Sequence, residues 1–397
     1  MKKGWQTKKL GDLVEVQNGY AFSSKDYSQS GHFLMRIGNV QNGHISTADP
    51  KFIKLPSDGS LKRFVLYEGD ILVSLTGNVG RVGVMREEHL PAALNQRVAR
   101  ISIRKDSPAT RELILLFLCS DWFREELSDA GHGAAQQNVS TKDLVEIEIP
   151  IPPLDEQKRI VAKLDEAFVG LAKAKENAEK NLQNARALFE SHLDSVFTQR
   201  GPGWVEKKLE EIGKTQTGST PSTSDQSNYG DFISFVKPGD FNTDGTLDYD
   251  KDGLSKRGAD GARIVPAGSV LMVCIGATIG KCGYCDQDVT TNQQVNALTP
   301  CDGSSNRFIY YQMRTKIFQR KVIHASGQAT LPIINKSKWS ALSVWLTPHA
   351  SEQKIIVAKL DAMLTETQRL ARFYEQKLEA LESLKKSILH EAFSGNL

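Results

Sequence analysis

The phrase EQKRIVAKLD beginning at Glu156 returns as EQKIIVAKLD beginning at Glu352, differing only where Arg159 becomes Ile355. Without a gap the match runs on, setting Leu182 on Leu378, Leu188 on Leu384, Leu193 on Leu389 and Phe197 on Phe393. It also extends upstream. GWQTKKL at Gly4 answers GWVEKKL at Gly203, Gly19 in VQNGYAF answers Gly218 in TQTGSTP, and NQRV at Asn95 answers NQQV at Asn292. GDILVSLTGNVGRVG from Gly69 finds its partner in GSVLMVCIGATIGKCG from Gly268. Self-similarity at this period makes the chain a tandem pair of half-molecules, each a globular part followed by one repeated segment. Between the anchors the halves diverge, so one scaffold carries two different surfaces.

The repeated segment reads as a helix. Apolar or small residues recur at steps of three and four through Ile160, Leu164, Ala167, Leu171, Ala174, Ala178, Leu182, Ala185 and Phe189, the spacing of a helical stripe. The second copy repeats it with Ile356, Leu360, Met363, Leu370, Tyr374, Leu378, Leu381 and Ile388. Prolines and Asp155 precede the first helix, Pro348 and Ser351 precede the second, and RGPG at Arg200 ends the first. Helices of about 40 to 45 residues, roughly 60 to 65 Å, outrun a compact domain. Each therefore needs the other, and a coiled coil follows. Two equivalent halves relate most simply by a pseudo-twofold axis, which sets the helices antiparallel. The expected seam comprises Ile160, Leu164, Leu171, Ala178, Leu182 and Phe189 against Ile356, Leu360, Met363, Leu370, Tyr374, Leu378, Leu381 and Ile388.

Short β-rich runs such as HFLMRIGNV, DILVSLTG and QRVARISI fill the globular parts, punctuated by Gly, Asn, Asp and Ser. One helical stretch comes late in each, from Pro108 and from Ser304. The fold class is α+β with mostly antiparallel or mixed sheets. Residues 1–153 and 201–348 are the two globular domains; 154–200 and 349–397 are the two long helices.

With 397 residues, 24% charged and 40% apolar, the chain has the composition of a folded globular protein and length for two or three cores. A formal charge of +3 does not by itself announce a nucleic-acid protein. The longest greasy run, LILLFLC ending at Cys119, is too short to span a bilayer. A cytoplasmic location and no membrane partner are expected.

Chemistry is sparse. Cys274, Cys282, Cys285 and Cys301 invite a zinc reading, but Cys274 sits in the apolar run VLMVCIG and KCGYC reads as strand and turn, so buried inert thiols are the expectation. GNVGRVG and GATIGKCG evoke a phosphate loop, yet Gly276 and Gly280 enclose three residues where a P-loop needs four, and Cys282 follows Lys281. Turns before strands explain these glycines. No metalloprotease, hydrolase-elbow or aminomethyltransferase motif occurs, and the histidines lack metal-ligand spacing. Neither a catalytic residue nor a bound metal or cofactor is expected on this chain. Amide, hydroxyl and basic groups concentrate instead on loops: Arg36, Asn39, Gln41, Asn42 and His44; Asn95, Gln96 and Arg97; Gln136, Gln137, Asn138 and Lys142; Lys237, Asp240 and Asn242; Asn292, Gln293 and Gln294. Arg and Lys suit guanine, Asn and Gln adenine, Asp the cytosine amine. The same residue types also build turns.

Taken together, QNGYAF with RIGNVQNG, TQTGSTP with FVKPGDFN, GDILVSLTGNVGRVG and the doubled E-Q-x-x-I-V-A-x-L-D resemble the specificity subunits of type I restriction-modification systems along nearly the whole chain. The resemblance implies that each globular part is a target recognition domain reading half of a bipartite site in double-stranded DNA, with the antiparallel helices as a ruler. It implies two modification (methyltransferase) subunits and two restriction (motor-nuclease) subunits as partners, with S-adenosylmethionine, ATP and Mg on those partners. It adds Asn78, Arg81 and Lys281 in the glycine turns, and Ser219 and Thr220 in TQTGSTP, to the candidate DNA contacts. One departure is SVWLTPHASEQ, which lacks the IPIPPL of the first half. A coiled-coil adaptor binding proteins at its ends is the alternative, and a nuclease built on Asp248, Asp250 and Asp252 a weaker one, since no bidentate Glu completes a loop there.

Overall fold

The strand Ile71–Ser74 is apolar at consecutive positions because both of its faces are covered. Ile71 and Val73 point into one core with Leu113, Phe117 and Ile160, and Leu72 points into another with Phe33, Met35 and Leu94. Its counterpart Val270–Val273 does the same, with Val270 and Met272 on one side and Leu271 and Val273 on the other. A central strand with two cores thus organises each half. The structure, a computed structural model, describes residues 2–131, 138–242, 245–301, 304–327 and 331–397.

The chain divides into two units, Met1–Ala178 with Gln376–Leu397, and Glu179–Glu375. In the first head a four-stranded antiparallel sheet runs in the order Val82–Val84, Ile71–Ser74, Val98–Ile103, Val14–Asn18. The second head repeats that order with Cys282–Tyr284, Val270–Val273, Val295–Pro300, Gly213–Thr217. Each head adds a mixed sheet containing one parallel pair, Ala92–Leu94 on His32–Met35 and Val289–Thr291 on Tyr229–Val236. The duplication is one of topology, and the α+β class expected from sequence is the one observed.

The long helices span Leu154–Thr198 and Ala350–Ser394, 45 residues each. Every unit takes the start of one helix and the end of the other, so the two pack antiparallel. In the first unit Arg159 donates to the Leu397 carbonyl at 2.6 Å, and the Lys385 ammonium lies 5.4 Å from the Phe168 ring. In the second Arg186 pairs with Glu375 at 2.6 Å.

The seam is thinner than its stripe implied. Ile160, Leu164, Ala178, Phe189 and Leu360 are buried, while Leu171, Leu182, Ile356, Met363, Tyr374, Leu378, Leu381 and Ile388 are half-buried. Leu370, expected in the seam, is 40% exposed. The inward phase there runs through Thr367, Ala371 and Tyr374, which leaves Leu370 one residue, about 100°, off the contact. Moreover, Ile160 and Leu164 belong to the first head's core and Leu360 to the second's. The repeated phrase is therefore a joint between head and helix more than a helix-to-helix zipper.

Two matched glycines are explained by close approach. A Cβ on Gly19 would run into the Asn95 carbonyl, and one on Gly218 into the carbonyls of Thr291 and Asn292. A Cβ on Gly38 would meet none of the described residues within 4 Å. Gly19→Ala and Gly218→Ala are each expected to cost about 1–3 kcal/mol, as overpacking against backbone does, while Gly38→Ala leaves the urea midpoint nearly unmoved. Equal midpoints for all three variants contradict this.

Candidate nucleic-acid interface

Antiparallel register gathers the loops of the first head. Val98 pairs with Ser74, Val82 with Val73 and Asn18 with Ala99, so the segments at 19–20, 75–81 and 94–97 emerge at one end of the four-stranded sheet. The Tyr20 amide donates to the Leu94 carbonyl, the Gln96 amide to the Tyr20 carbonyl and the Leu75 amide to the Arg97 carbonyl. The hairpin of Val40–Gln41 with His44–Ile45 joins this end, since the Gly43 amide donates to the Val82 carbonyl and Arg81 reaches Gln41 Oε1 at 2.9 Å. Arg97 donates to Thr76 Oγ1 and Asn138 Oδ1, both at 3.2 Å.

The second head builds the same end. The Ser219 amide donates to Thr291, the Gly218 amide to Val295 and the Cys274 amide to Gln294. Lys281 occupies the place of Arg81 and reaches the Phe241 carbonyl at 3.4 Å, beside the turn that pairs Phe241 with Leu247. Thr220 donates to Gln293 Oε1 at 2.5 Å, and Asn242 to Thr246 Oγ1 at 2.9 Å. Gln294 accepts from Asn292 at 3.0 Å. The Ser219 hydroxyl is buried without a hydrogen-bond partner among the described residues.

Asn78, Gln96, Arg97 and His44 are exposed on the first of these surfaces, with Arg81 and Gln41 half-buried. Gln293, Thr220 and Asn242 are exposed on the second, with Lys281, Gln294 and Ser219 half-buried. Gln137 lies outside the described residues, as does Gln136. The sequence reading missed Tyr20, whose ring is 42% exposed and packs 4.9 Å from Phe22 and 5.4 Å from Phe64. An aromatic directly after an anchor glycine was the available signal.

Two expected base readers are spent on the fold. Asn39 is buried; its Oδ1 accepts from the Arg36 amide at 3.1 Å, and its Nδ2 donates to the Ser46 carbonyl at 3.0 Å. Asp240 is buried in the equivalent turn and accepts from the Lys237 amide at 2.7 Å. RIGN and KPGD are one turn in two spellings, closed by a carboxamide or carboxylate. Their basic residues are engaged too, Arg36 with Asp49 at 3.1 Å and Lys237 with Asp252 at 2.8 Å. Lys51 first and Arg36 next hold the Asp49 carboxyl below the ordinary carboxylate range. Arg36, Asn39, Lys237 and Asp240 thus shape the surface from beneath.

The cysteines, the acidic run and the glycine turns are placed as follows among the described residues. Burial pushes the Cys274 and Cys282 thiols up to about 12 and Cys285 to about 11, and Cys282 and Cys285 sit in different cores. No metal-holding group of His, Cys, Asp or Glu forms among the described residues. Asp248 pairs with Lys251 at 2.9 Å and Asp252 with Lys237 at 2.8 Å, so two of the three carboxylates of the acidic run face lysines. The Gly80 amide donates to Ser74 and the Gly280 amide to Val273, which uses them as strand turns. No helix among the described residues is long and apolar enough to cross a membrane.

Two topologically matched heads, each offering a polar loop surface at one sheet end, define a duplicated α+β protein. The family model for the type I restriction modification DNA specificity domain matches twice, over residues 2–180 and 202–380; the chain belongs to that family. It is 30% identical over 188 residues to the type I restriction enzyme MjaVIII specificity subunit of Methanocaldococcus jannaschii, covering 46% of this chain and 43% of that one. Against the StySPI specificity subunit of Salmonella potsdam it is 22% identical, covering 100% of this chain and 90% of the relative. The chain spans less than half the length of the first curated relatives it matches. A solved chain described under complex assembly and conformational transition of the type I R-M system superposes with a TM-score of 0.78 at 21% identity, covering 100% of this chain and 99% of that one. The HsdS subunit of Thermoanaerobacter tengcongensis does so with 0.58 at 20%, covering 100% and 98%. At such identities the likeness concerns the fold.

Asn39→Ala is expected to cost about 1–3 kcal/mol, because it strips buried backbone groups of their partner. Asn78→Ala, at an exposed side chain, shifts stability by less than about 0.5 kcal/mol. Urea denaturation distinguishes them, and equal stability of the two variants refutes the division between turn builders and surface groups.

Proposed function

We propose that this chain is the sequence-reading subunit of a type I restriction-modification complex, each head reading one half of a bipartite site in double-stranded DNA. The observation that carries the reading is the loop surface built twice on one topology with different side chains. Gln41, Arg81 and Gln96 correspond to the like residues Asn242, Lys281 and Gln293, whereas Tyr20 and Arg97 correspond to the unlike Ser219 and Gln294. Such a pair reads two unlike half-sites with common docking to the duplex.

The long helices act as the ruler and carry two methyltransferase subunits. Val169 at 72% and Phe373 at 56% exposure are apolar footholds for those partners, flanked by Lys163, Lys173, Arg369 and Lys377. Two motor-nuclease subunits complete the assembly, and S-adenosylmethionine, ATP and Mg belong to the partners. The complex works in the cytoplasm, beside its DNA. A head of about 150 residues has a radius of gyration near 15 Å, which suits half-sites about one duplex turn apart at 3.4 Å per base pair. Affinity falls with salt in proportion to the phosphates contacted.

Adenine-methylation mapping in a host expressing the chain with its methyltransferase tests this. Arg97→Ala relaxes one half-site and Lys281→Ala the other, each by about 1–3 kcal/mol of discrimination. Residues inserted in a long helix change the spacer. A continuous target, or a single variant that alters both half-sites, overturns the proposal.

A further inference from the structure

The second residue of the repeated phrase is a buried glutamine in both copies. Gln157 is 1% exposed and Gln353 4%. Gln157 Oε1 accepts from the Thr110 amide at 2.9 Å, and its Nε2 donates to the carbonyls of Pro108 at 2.8 Å and Pro152 at 2.9 Å. Gln353 Oε1 accepts from the Ser305 amide at 2.8 Å. Thr110 and Ser305 are equivalent: each is the N-cap of its head's helix, Arg111–Leu118 or Asn306–Arg314, and each hydroxyl accepts from the amide three residues on.

In an ordinary capping box the third residue of the helix, a Glu or Gln, reaches back to the N-cap amide. Here that third residue is Leu113 or Phe308, fully buried in its head's core. Apolar packing has taken the position, so the carboxamide comes from the long helix. The box is split between two helices, and closing it fixes where the long helix leaves its head. Ile160 and Leu164, on the same face as Gln157, slide as apolar groups can; a carboxamide with both amide protons and its oxygen engaged does not.

We infer that Gln157 and Gln353 are positioning residues that hold each reading surface at a set angle on its helix, and so set how strictly the spacer between half-sites is measured. The inference rests on the bipartite reading above. One base pair moves a half-site by about 3.4 Å and turns it around the duplex axis, and a locked head cannot follow. The two joints differ in what else holds them. Arg307 pairs with Asp361 at 2.5 Å and Arg314 with Glu190 at 2.7 Å, tying the second head's helix to both long helices by charge. In the first head the helix itself meets them through apolar contacts such as Phe117 on Phe393, 5.3 Å between centroids, and the ion pairs that flank it, Lys2 with Glu156 at 3.0 Å and Lys386 with Asp121 at 3.4 Å, use cations more exposed than Arg307 and Arg314. Gln157 therefore carries more of its joint than Gln353.

The test uses Gln157→Met and Gln353→Met, which keep length and lose the hydrogen bonds, in the full chain with its methyltransferase. Targets with the native spacer, and with one base pair more or fewer, are methylated in parallel. Hydrogen exchange at Thr110 and Ser305 in the isolated chain reports on the joint without DNA. Expected are faster exchange at the matching amide and a roughly tenfold loss of discrimination against the wrong spacers, the factor one hydrogen bond supplies. The effect is larger for Gln157→Met, and the bases preferred in both half-sites are unchanged. Faster exchange with undiminished spacer discrimination overturns the inference and leaves the bipartite reading intact. A uniform fall on all three targets also overturns it, marking a merely structural role. If Gln157→Met does not fold, Gln353→Met decides by the same criteria. A wild-type complex indifferent to spacer length sinks the bipartite reading itself.

Discussion

A helix of 45 residues with an apolar stripe along it must bury that stripe or lose its reason to fold. One head cannot cover it. The chain's solution is to use each long helix twice, its first turns packed on the head that precedes it and its last turns in the core of the other unit. Leu389, Ala392 and Phe393 accordingly share a core with Ile160 and Leu164, and Phe189, Leu193 and Phe197 share one with Leu360. Burying a side chain of this size contributes about 1.5–3 kcal/mol, so the ends of each helix are held far more firmly than its middle, where the buried positions are the small residues Ala178, Ala185 and Thr367. Neither half of the repeat is complete without the end of its counterpart.

That arrangement separates two jobs that the loops would otherwise have to share. Polar residues beneath the surface close turns: Asn39 and Asp240 staple equivalent loops, and Arg36 and Lys237 are tied to acids thirteen and fifteen residues on, at Asp49 and Asp252. Polar residues above them keep groups free. Arg97 leans on Thr76 and Asn138, and Arg81 on Gln41, through exposed or half-buried contacts that hold these side chains only weakly. Substitution in the upper layer leaves the lower intact, which is how two heads of one topology come to carry unlike side chains.

Much of this was written in the sequence. The tandem halves, the helices and the antiparallel arrangement follow from a repeated phrase and a stripe of period near 3.6. The gathering of loops 19–20, 75–81 and 94–97 was foreshadowed by matched glycines, and Gly19 and Gly218 owe their identity to carbonyls that no Cβ could clear. What stayed illegible was burial of polar groups. Asn39 and Gln96 look alike as letters; only the fold makes one a staple and leaves the other exposed. Leu370 fits the stripe by spacing, but a drift of one residue over several turns of a straight helix carries it out to solvent. Tyr20 was passed over because its one signal, an aromatic directly after an anchor glycine, is positional and not periodic.

Repetition also hides asymmetry until side chains are placed. The head helices align residue for residue, yet Glu112, Leu115, Leu116 and Cys119 in the first stand where Arg307, Tyr310, Tyr311 and Arg314 stand in the second. Arg307 lies within 6 Å of the rings of Tyr284, Tyr310 and Tyr311 as well as beside Asp361, so its charge is balanced by an acid and by π faces in a half-buried setting. Removing either partner strands the other, whereas the apolar packing of the first head's helix tolerates shape-preserving change. What both joints retain is the glutamine that completes the N-cap of the head helix. A duplicated scaffold can exchange greasy contacts for ionic ones in one copy, but the amide at Thr110 and Ser305 still needs an acceptor, and in both copies the buried residue at the third helical position cannot provide it.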